Sequence, residues 1–401
     1  MHHARVRPRV RAIPRTAWLL GLTSFFADIS SELVYPLIPI FLTATLGAPV
    51  AAVGLVEGVA EATAYATRPL AGRWSDAAGA RKPFVVAGYA LAALGKLILA
   101  AAPAWGFALA GRAVDRFGKG IRTPARDAML ADVAAPETRG RIFGFHRAFD
   151  TLGAVLGPLL ALAFLASVGQ EHLRWAIALA LIPAAISVIV VARVPEVPAP
   201  ARSPADGPRP GLRSLPPAYW LFLGVTGLFM LGNSSDAFLI LRAKDLGLTT
   251  TAVVLAYVVY NAVYALLSYP AGALSDRIPR PAVIVGGYLV FAAVYLGFAL
   301  AGTGAAAWLL FPLYGAYIAA TEGIGKAFIA DLAPPEARSA ALGLFQGVTG
   351  ALVLAASLLA GILWDAFGPK ATFSFSAAAA LLAALLAAAL LAGGRLRPAS
   401  L

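Results

Sequence analysis

The chain has 401 residues, of which 60% are hydrophobic and only 13% are charged, and its net charge is +12 at pH 7. Soluble domains carry about 25% charged residues, so this composition excludes an ordinary soluble protein and indicates one that crosses a membrane many times. A positive charge can indicate a nucleic-acid partner, but here the basic residues collect in loops on one predicted membrane side. We therefore predict a lipid bilayer as the partner and no nucleic acid.

The sequence contains no cysteine, which excludes disulfides, thiol catalysis and thiolate metal sites. Three of its four histidines, His2, His3 and His172, lack the spacing of metal ligands, so we expect no metal and no other cofactor. N-terminal arginines precede an apolar stretch from Trp18 to about Leu46. That stretch is longer than the core of a signal peptide and predicts the first membrane helix.

Twelve apolar segments follow one another along the chain, each near the length that a helix needs to cross a bilayer. The predicted membrane helices are residues 17–42, 51–72, 83–101, 104–128, 143–166, 173–192, 218–241, 251–274, 281–301, 305–330, 338–363 and 370–392. Residues 195–217 are rich in Pro, Arg, Ala and Ser and predict a flexible cytoplasmic linker. The linker would separate an N-terminal six-helix bundle, residues 1–194, from a C-terminal one, residues 218–401.

Lysine and arginine predict the orientation, because they are concentrated in cytoplasmic loops. An even number of helices places both termini on one side of the membrane. The basic residues on or near that side are the N-terminal and linker arginines together with Arg73, Arg81, Lys82, Arg139, Arg141, Arg277, Arg280, Arg338, Arg395 and Arg397. The opposite loops contain only Arg174, Arg242, Lys244 and Lys370. We therefore predict a multi-pass protein of the cytoplasmic (inner) membrane with both termini in the cytoplasm.

Three short sequences occur twice, about 200 residues apart. The pairs are Pro69–Asp76 with Pro270–Arg277, Ser30–Glu32 with Ser234–Asp236, and Ala131–Arg139 with Ala330–Arg338. These matches predict two homologous halves that run in the same direction, related by an axis along the membrane normal. The predicted fold class is an all-α membrane protein with twelve transmembrane helices in two pseudo-symmetric six-helix bundles.

The repeated loop also carries a family resemblance. Gly72–Lys82 (GRWSDAAGARK) resembles the signature Gly-x-x-x-Asp-x-x-Gly-x-Arg-Lys of the major facilitator superfamily. Pro36 and Pro39 resemble the paired prolines of its drug–proton antiporter branch. Gly153–Ala161 (GAVLGPLLA), which includes Gly157 and Pro158, resembles the antiporter signature Gly-x-x-x-Gly-Pro-x-x-Gly, with Ala161 at the last glycine. Arg112 is similar to the arginine of the family's fourth helix, but the family's Gln-Gly is replaced by Asp115 and Arg116.

The resemblance implies the major facilitator fold and a secondary active transporter that works by alternating access. The antiporter-like signature further implies export coupled to a proton gradient. The charged residues of the predicted cavity helices, rather than the resemblance, predict a small polar or charged solute as cargo. We also expect a functional monomer that is not an enzyme. The chain has no Walker-type motif for ATP hydrolysis. Two alternatives stay open: a proton-coupled uptake symporter for a small anion, favoured by basic residues in the fourth helix, and a non-transporting membrane receptor or enzyme.

The fourth helix places Arg112, Arg116 and Lys119 on one face by their spacing. From the helix start, Arg112 lies roughly 10 Å and Lys119 roughly 21 Å along the axis, which is membrane depth. A cation at the bilayer centre costs at least about 2.5–3.5 kcal/mol. This face must therefore line an aqueous cavity, or its cations must pair with acids in an internal network.

In the superfamily, helices 1, 4, 7 and 10 line the central cavity, so the resemblance implies further site residues. The predicted substrate-binding residues are Arg112, Arg116, Lys119, Asn233, Asp236, Tyr314, Tyr317 and Glu322. The predicted proton-coupling residues are Asp28, Glu32, His146 and Asp150. Desolvation raises a carboxyl pKa and an approaching guanidinium lowers it, so movement can load or release a proton. A permanent ion pair with Arg112 or Arg116 is the alternative for the acids of helix 1.

Two further sets of residues are predicted to support conformational change. The gating residues are Gly72, Asp76, Arg81, Lys82, Asp276 and Arg277, whose carboxylates could cap a helix of the other half or pair with an arginine. Gly153 and Gly157 permit close helix packing, and Pro158 removes a backbone hydrogen bond. Glu57 and Glu61 in helix 2 are expected to be structural, with partners in the N-terminal half such as Lys96.

Overall fold

The computed structural model describes residues 13–134, 138–196, 215–334 and 337–396. Within these ranges, twelve long helical segments account for the predicted membrane helices. They are α1 (Arg15–Thr45), α2 (Val50–Ala78), α3 (Lys82–Ala101), α4 (Trp105–Val133), α5 (Arg139–Val168), α6 (Leu173–Ala192), α7 (Pro217–Asp245), α8 (Thr250–Ser275), α9 (Arg280–Leu300), α10 (Ala307–Leu332), α11 (Arg338–Phe367) and α12 (Pro369–Ala392).

Ten helices in the described part of the chain are long and apolar enough to cross a membrane. The other two, α2 and α4, have 29 residues each and are long enough, but both contain several charged residues. An α-helix of that length spans roughly 44 Å at about 1.5 Å per residue. The predicted all-α fold with twelve membrane helices is confirmed, and the helices that carry charge are the ones whose interior position needs an explanation.

Three of the long helices are interrupted, α6 at the single residue Ala180 and α1 and α7 over longer stretches. In α1 the regular helix ends at Val34 and passes through the 3₁₀ turn Tyr35–Leu37 and the π-turn Phe41–Thr45. Pro36 and Pro39 explain this irregularity, because proline has no backbone N–H to donate to the preceding turn. In α7 the regular helix ends at Gly232 and resumes at Ala237, which leaves residues 233–236 outside helical geometry.

The same helix pairs pack in both halves. In the N-terminal half α1 contacts α5, α2 contacts α4, and α3 contacts α4 and α6. The C-terminal half repeats these pairs: α7 contacts α11, α8 contacts α10, and α9 contacts α10 and α12. The halves meet through α2 with α11 and through α5 with α8, which are again equivalent pairs. The arrangement is therefore two pseudo-symmetric bundles. The predicted linker, residues 195–217, lies for the most part outside the described residues.

Hydrogen bonds join the halves at the end of the molecule where α2 and α8 begin. The carboxylate of Asp365 accepts from the backbone N–H groups of Val50, at 3.1 Å, and Ala51, at 2.8 Å. The side-chain oxygen of Gln170 accepts from the backbone N–H of Thr250 at 3.1 Å. Each bond satisfies a donor in the first turn of a helix in the other half. The halves are thus fastened to each other at this end.

Candidate functional site

Two cavities lie between the halves. The first, which we name the tyrosine cavity, measures about 370 Å³ and is lined mainly by α7, α8, α9, α10 and α11, with Tyr35, Glu61 and Tyr65 from the N-terminal half. The second, which we name the charged cavity, measures about 690 Å³ and reaches the loop that contains Asp276. Tyr264 lines both cavities, so they are neighbours.

The tyrosine cavity contains five of the predicted substrate-binding residues: Asn233, Asp236, Tyr314, Tyr317 and Glu322. The interruption of α7 brings Asn233 and Asp236 to the cavity wall, and helical spacing puts the two tyrosines of α10 on one face. Five residues from two helices that are far apart in sequence therefore meet at one surface.

Asp236 is the polar centre of the tyrosine cavity. One carboxylate oxygen accepts a hydrogen bond from the Tyr314 hydroxyl at 2.6 Å, and the other accepts one from the Tyr260 hydroxyl at 3.0 Å. Glu322 is different, because it accepts from Lys326 at 3.2 Å and from the Tyr264 hydroxyl at 3.0 Å. Asp236 is therefore bonded to two phenols, whereas Glu322 is bonded to one phenol and paired with a cation.

The three basic residues of α4 have three different environments. Arg112 is buried and donates two hydrogen bonds to Glu57, at 2.9 and 2.7 Å. Arg116 lies 3.3 Å from a carboxylate oxygen of Glu61. Lys119 lines the charged cavity. Of the three, only Lys119 faces either of the two large cavities, so the structure does not bring Arg112 and Arg116 together with Asp236 and the tyrosines of α10.

A buried ion network explains how α2 and α4 tolerate charges at membrane depth. Asp115 accepts a hydrogen bond from Lys96 of α3 at 2.8 Å and lies 3.4 Å from Arg112. Glu57, Lys96, Arg112 and Asp115 are all less than 9% exposed. Two acids and two bases thus cancel, and the two hydrogen bonds from Arg112 to Glu57 fix the angle between α2 and α4. Glu57 had been expected to find a partner within the N-terminal half, and that partner is Arg112.

The predicted proton-coupling residues lie on or just behind the wall of the charged cavity. Asp28, Glu32 and Asp150 line it together with the cations Lys119 and Arg147. His146 is buried behind Asp150, with 3.5 Å between its Nδ1 and the carboxylate. Its Nε2 lies 2.8 Å from the Ser24 hydroxyl.

Glu32 is also bonded across the interface between the halves. Its carboxylate accepts a hydrogen bond of 2.9 Å from the hydroxyl of Tyr257 in α8. The tyrosines of α8 were not among the predicted site residues, although Tyr257, Tyr260 and Tyr264 follow one another at helical spacing on one face. That spacing was the available signal, and these residues bond to Glu32, Asp236 and Glu322 respectively.

The glycines of the α5 motif hold α5 close to α1. A Cβ atom at Gly153 would lie 2.5 Å from the Phe25 carbonyl oxygen, and one at Gly157 would lie 2.6 Å from the Ile29 carbonyl oxygen. A Cβ atom at Gly153 would also lie 3.0 Å from the Cβ atom of Asp28, and one at Gly157 would lie 3.0 Å from the Cβ atom of Glu32. The motif, which Pro158 follows within the helix, therefore sets how far Asp28 and Glu32 stand from the α5 wall of the charged cavity.

The predicted gating residues lie at the end of the molecule opposite the Asp365 contact. Arg81 forms an ion pair with Asp132, and its counterpart Arg280 lies 2.7 Å from Asp331. Arg280 also lies 3.4 Å from Asp276. The duplicated loops are thus each tied to the last turn of α4 or α10 within their own half.

The other gating residues surround these pairs. Gly72 and Asp76 belong to the last turns of α2, and both Asp76 and Arg277 are exposed. The backbone N–H groups of Arg81 and Lys82 donate to Glu196, which caps the start of α3. Asp276 makes its ion pair within its own half rather than across the interface. Among the described residues, no group of three or more His, Asp or Glu is placed to hold a metal ion.

Comparison with known proteins gives a consistent result. Residues 20–255 and 221–400 match the sequence profile of the Major Facilitator Superfamily. An uncharacterised MFS-type transporter of Methanocaldococcus jannaschii is 37% identical over 378 residues, which cover 93% of this chain and 94% of that protein. The multidrug resistance protein MdtH of Aeromonas hydrophila is 26% identical over 353 residues, which cover 85% of this chain and 87% of that protein.

Solved structures show the same fold at low sequence identity. The nucleoside transporter NupG superposes with a TM-score of 0.77 and 14% identity, over 94% of this chain and 99% of that one. A D-xylose–proton symporter superposes with a TM-score of 0.74 and 17% identity, over 93% and 95% of the two chains.

Proposed function

Because this chain belongs to the Major Facilitator Superfamily, we propose that it is a secondary active transporter that exports a small polar or charged solute in exchange for protons. The observation that carries the proposal is the hydrogen bond between Glu32 of α1 and Tyr257 of α8. It joins the two halves at a carboxylate that lines a cavity between them. A group that can bind a proton is thereby part of the contact that must break when the halves move.

Alternating access is supported by the unequal ends of the molecule. The bonds from Asp365 and Gln170 fasten the halves at one end. At the other end the ion pairs of Arg81 and Arg280 stay within their own halves, and the charged cavity extends to Asp276. With the predicted orientation, this conformation faces the cytoplasm. We propose that the protein works in this way as a monomer in the cytoplasmic membrane.

Proton coupling is supported by the composition of the charged cavity. Four carboxylates line it, those of Asp28, Glu32, Asp150 and Asp276, together with the cations Lys119, Arg147 and Arg280. An ionised carboxylate accepts a stronger hydrogen bond than a neutral one, so a proton on Glu32 weakens the bond from Tyr257. Proton binding to Glu32 would then loosen the contact between the two halves. A link of this kind between proton binding and conformation is what proton-coupled transport requires.

Export is supported by the proline and glycine motifs of α1 and α5 and by the similarity to multidrug resistance proteins. The alternative, uptake of a small anion, drew its support from the basic residues of α4. Arg112 and Arg116 face Glu57 and Glu61 instead. The cations that remain in the charged cavity to attract an anionic cargo are Lys119, Arg147 and Arg280, and Arg280 is paired with Asp331.

Proton exchange can be tested with purified protein in vesicles that contain a pH-sensitive dye and have a clamped membrane potential. Three probes are added outside: benzyltrimethylammonium, benzenesulfonate and D-xylose. None of them carries a proton through lipid by itself. Antiport moves the probe in and protons out, so the vesicle interior becomes alkaline. Vesicles without protein and vesicles with Glu32→Gln protein are the controls.

Each response decides between the candidate functions. An alkaline shift with any probe supports proton-coupled export. An acid shift with benzenesulfonate identifies an anion symporter and overturns export. No shift with any of the three probes overturns proton-coupled transport of these solute classes, and chemical conversion of a probe without flux would identify an enzyme.

A further inference from the structure

Asp236 differs from the other acids that line the tyrosine cavity. Glu61 lies 3.3 Å from Arg116, and Glu322 lies 3.2 Å from Lys326. Among the residues that the structure describes, Asp236 has only the hydroxyls of Tyr260 and Tyr314 as side-chain partners. A phenol hydrogen bond stabilises a carboxylate but does not neutralise it. Within the described residues, the cavity therefore contains an ionisable acid without a counter-charge.

The surroundings of Asp236 make the site attractive to cations. The other acids in the lining of the same cavity are Glu61 and Glu322. The cavity lining contains three acids and one base, Lys326, which is committed to Glu322. An anion that entered would meet these carboxylates in a setting of low dielectric, where repulsion is stronger than in water. A cation would supply the charge that Asp236 lacks.

Aromatic rings form the walls beside this carboxylate. The rings of Tyr260 and Tyr314 lie 5.4 Å apart at 54°, and both of their hydroxyls reach Asp236. Phe229 and Tyr288 stack at 4.0 Å and form another part of the lining. The electron-rich face of such a ring attracts a cation, most strongly where water is excluded. A ring can bind the cation while its hydroxyl orients the carboxylate.

The remaining wall suits an apolar body attached to the charge. Phe222, Ile284, Phe345 and Val353 line the part of the cavity formed by α7, α9 and α11. The volume of about 370 Å³ lies within the range of small-molecule sites.

We propose that the tyrosine cavity binds an organic cation, an amine carried on an apolar body, with Asp236 as its charge partner. The inference rests on the proposed transport function, since it names the class of cargo. In this arrangement the ammonium group pairs with Asp236 and lies between the rings of Tyr260 and Tyr314, and the apolar body contacts the wall around Phe345.

Binding can be measured on detergent-purified protein with three probes that share one skeleton. These are 4-phenylbutylamine, 4-phenylbutan-1-ol and 4-phenylbutyrate, which are cationic, neutral and anionic at pH 7. Dissociation constants come from calorimetry, corrected with protein-free micelles. We expect the amine to bind wild-type protein at least about tenfold more tightly than the alcohol, and the carboxylate to bind most weakly.

A substitution then tests the assignment to Asp236. Asp236→Asn keeps the shape and a carbonyl acceptor for the tyrosines but removes the charge, so the amine should lose its advantage over the alcohol. Asp245→Asn is the matched control on the same helix, because Asp245 pairs with Arg242 and lines neither cavity. That variant should keep the wild-type order of affinities.

The comparison on wild-type protein decides the question even where Asp236→Asn fails to fold. Amine binding that is no tighter than alcohol binding, or tighter binding of the carboxylate, overturns the inference. Retention of the amine preference by Asp236→Asn removes Asp236 from the site and also overturns it. Because binding in detergent needs no transport, each of these results leaves the vesicle test of proton exchange unaffected.

Discussion

Glu32 and Asp236 occupy equivalent positions in the two halves, and each accepts a hydrogen bond from a tyrosine of α8. The two hydrogen bonds differ in what they connect. Tyr257 bonds to Glu32 across the interface between the halves, whereas Tyr260 bonds to Asp236 within the C-terminal half. Acidic side chains at equivalent repeat positions can thus have different roles. We assign the proton to Glu32, whose bond must break as the halves separate, and the cargo to Asp236, whose bonds travel with α7, α8 and α10.

Substitution of Glu32 by glutamine should separate exchange of cargo from proton movement. Glu32→Gln keeps an acceptor for Tyr257 but cannot ionise, so the halves can still move while no proton is carried. We expect vesicles with this variant to exchange labelled benzyltrimethylammonium across the membrane at a rate within about threefold of wild type. The pH response of the same vesicles should be lost. A normal pH response would show that the proton site lies elsewhere.

The basic residues of α4 should respond differently to removal. Arg112→Ala leaves Glu57, which is 1% exposed, as a buried charge without its partner. Breaking a buried pair in this way costs about 3–5 kcal/mol. Arg116→Ala leaves Glu61, whose side chain is 30% exposed and lines the tyrosine cavity, so water can solvate it. We expect Arg112→Ala to unfold at a much lower temperature. Arg116→Ala should fold normally but lose transport, because Glu61 then has no counter-charge at the wall of the tyrosine cavity.

Thermal unfolding in detergent and vesicle flux measure the two effects. The double variant Glu57→Gln with Arg112→Met removes both charges and should recover most of the stability that Arg112→Ala loses. Normal stability of Arg112→Ala would contradict the buried network. Normal transport by Arg116→Ala would show that transport does not depend on the ion pair between Arg116 and Glu61.

At the scale of helices, the contact between α1 and α5 determines the geometry of the proposed proton site. Gly153 and Gly157 allow the backbone of α5 to approach α1 opposite Asp28 and Glu32. Asp150 of α5 and Glu32 of α1 then line the same cavity. The glycine motif therefore fixes the spacing between carboxylates as well as packing two helices. Close packing through small residues is a common way to join membrane helices.

A methyl group at Gly157 should push these two helices apart. Gly157→Ala puts a Cβ atom 2.6 Å from the Ile29 carbonyl oxygen, and that backbone oxygen cannot move away as a flexible side chain would. Overpacking of this kind costs about 1–3 kcal/mol, which should lower the unfolding temperature in detergent. Gly144→Ala is the matched control, because a Cβ atom at Gly144 of the same helix meets nothing within 4 Å. Equal unfolding temperatures for the two variants would contradict the close contact.

The helices and their duplication could be predicted from the sequence, whereas the partners of buried charges could not. Apolar length locates a membrane helix wherever it lies, and a repeated loop reveals a repeated half. The pair of Arg112 with Glu57 depends on how α4 rotates against α2, which no local pattern specifies. The interruption of α7 at Asn233 was also not foreseen, because the segment lacks a proline and its partner sequence in α1 stays helical there.

At the scale of the whole molecule, the two halves contact each other reciprocally at the end that contains Asp365, and the duplicated loops lie at the opposite end. Asp365 caps α2 from the opposite half, and Gln170 bonds to the start of α8 from the opposite half. Such caps were expected from Asp76 and Asp276, at the other end. In a protein with two alternating conformations, each end has its own contacts and only one set forms at a time. The conformation seen here has the Asp365 set in place.

Removal of the Asp365 cap should therefore open one end and close the other. Loss of a helix cap costs about 0.5–2 kcal/mol, and 1 kcal/mol changes a two-state ratio roughly fivefold. Because the chain has no cysteine, spin labels can be attached to introduced cysteine pairs without altering native thiols. One pair replaces Glu171 and Lys370 near the Asp365 end, and the other replaces Ala78 and Ile278 near the duplicated loops, all four being exposed.

Pulsed electron paramagnetic resonance then measures both distances in Asp365→Ala protein. We expect the first pair to gain a population at longer distance and the second pair to gain one at shorter distance, to the same extent. Asp365→Asn keeps one acceptor oxygen and should give an intermediate shift in both. A change at one end alone would show that the ends move independently, which excludes alternating access governed by this cap. Equal and opposite changes would identify Asp365 as part of the gate that the duplicated loops oppose.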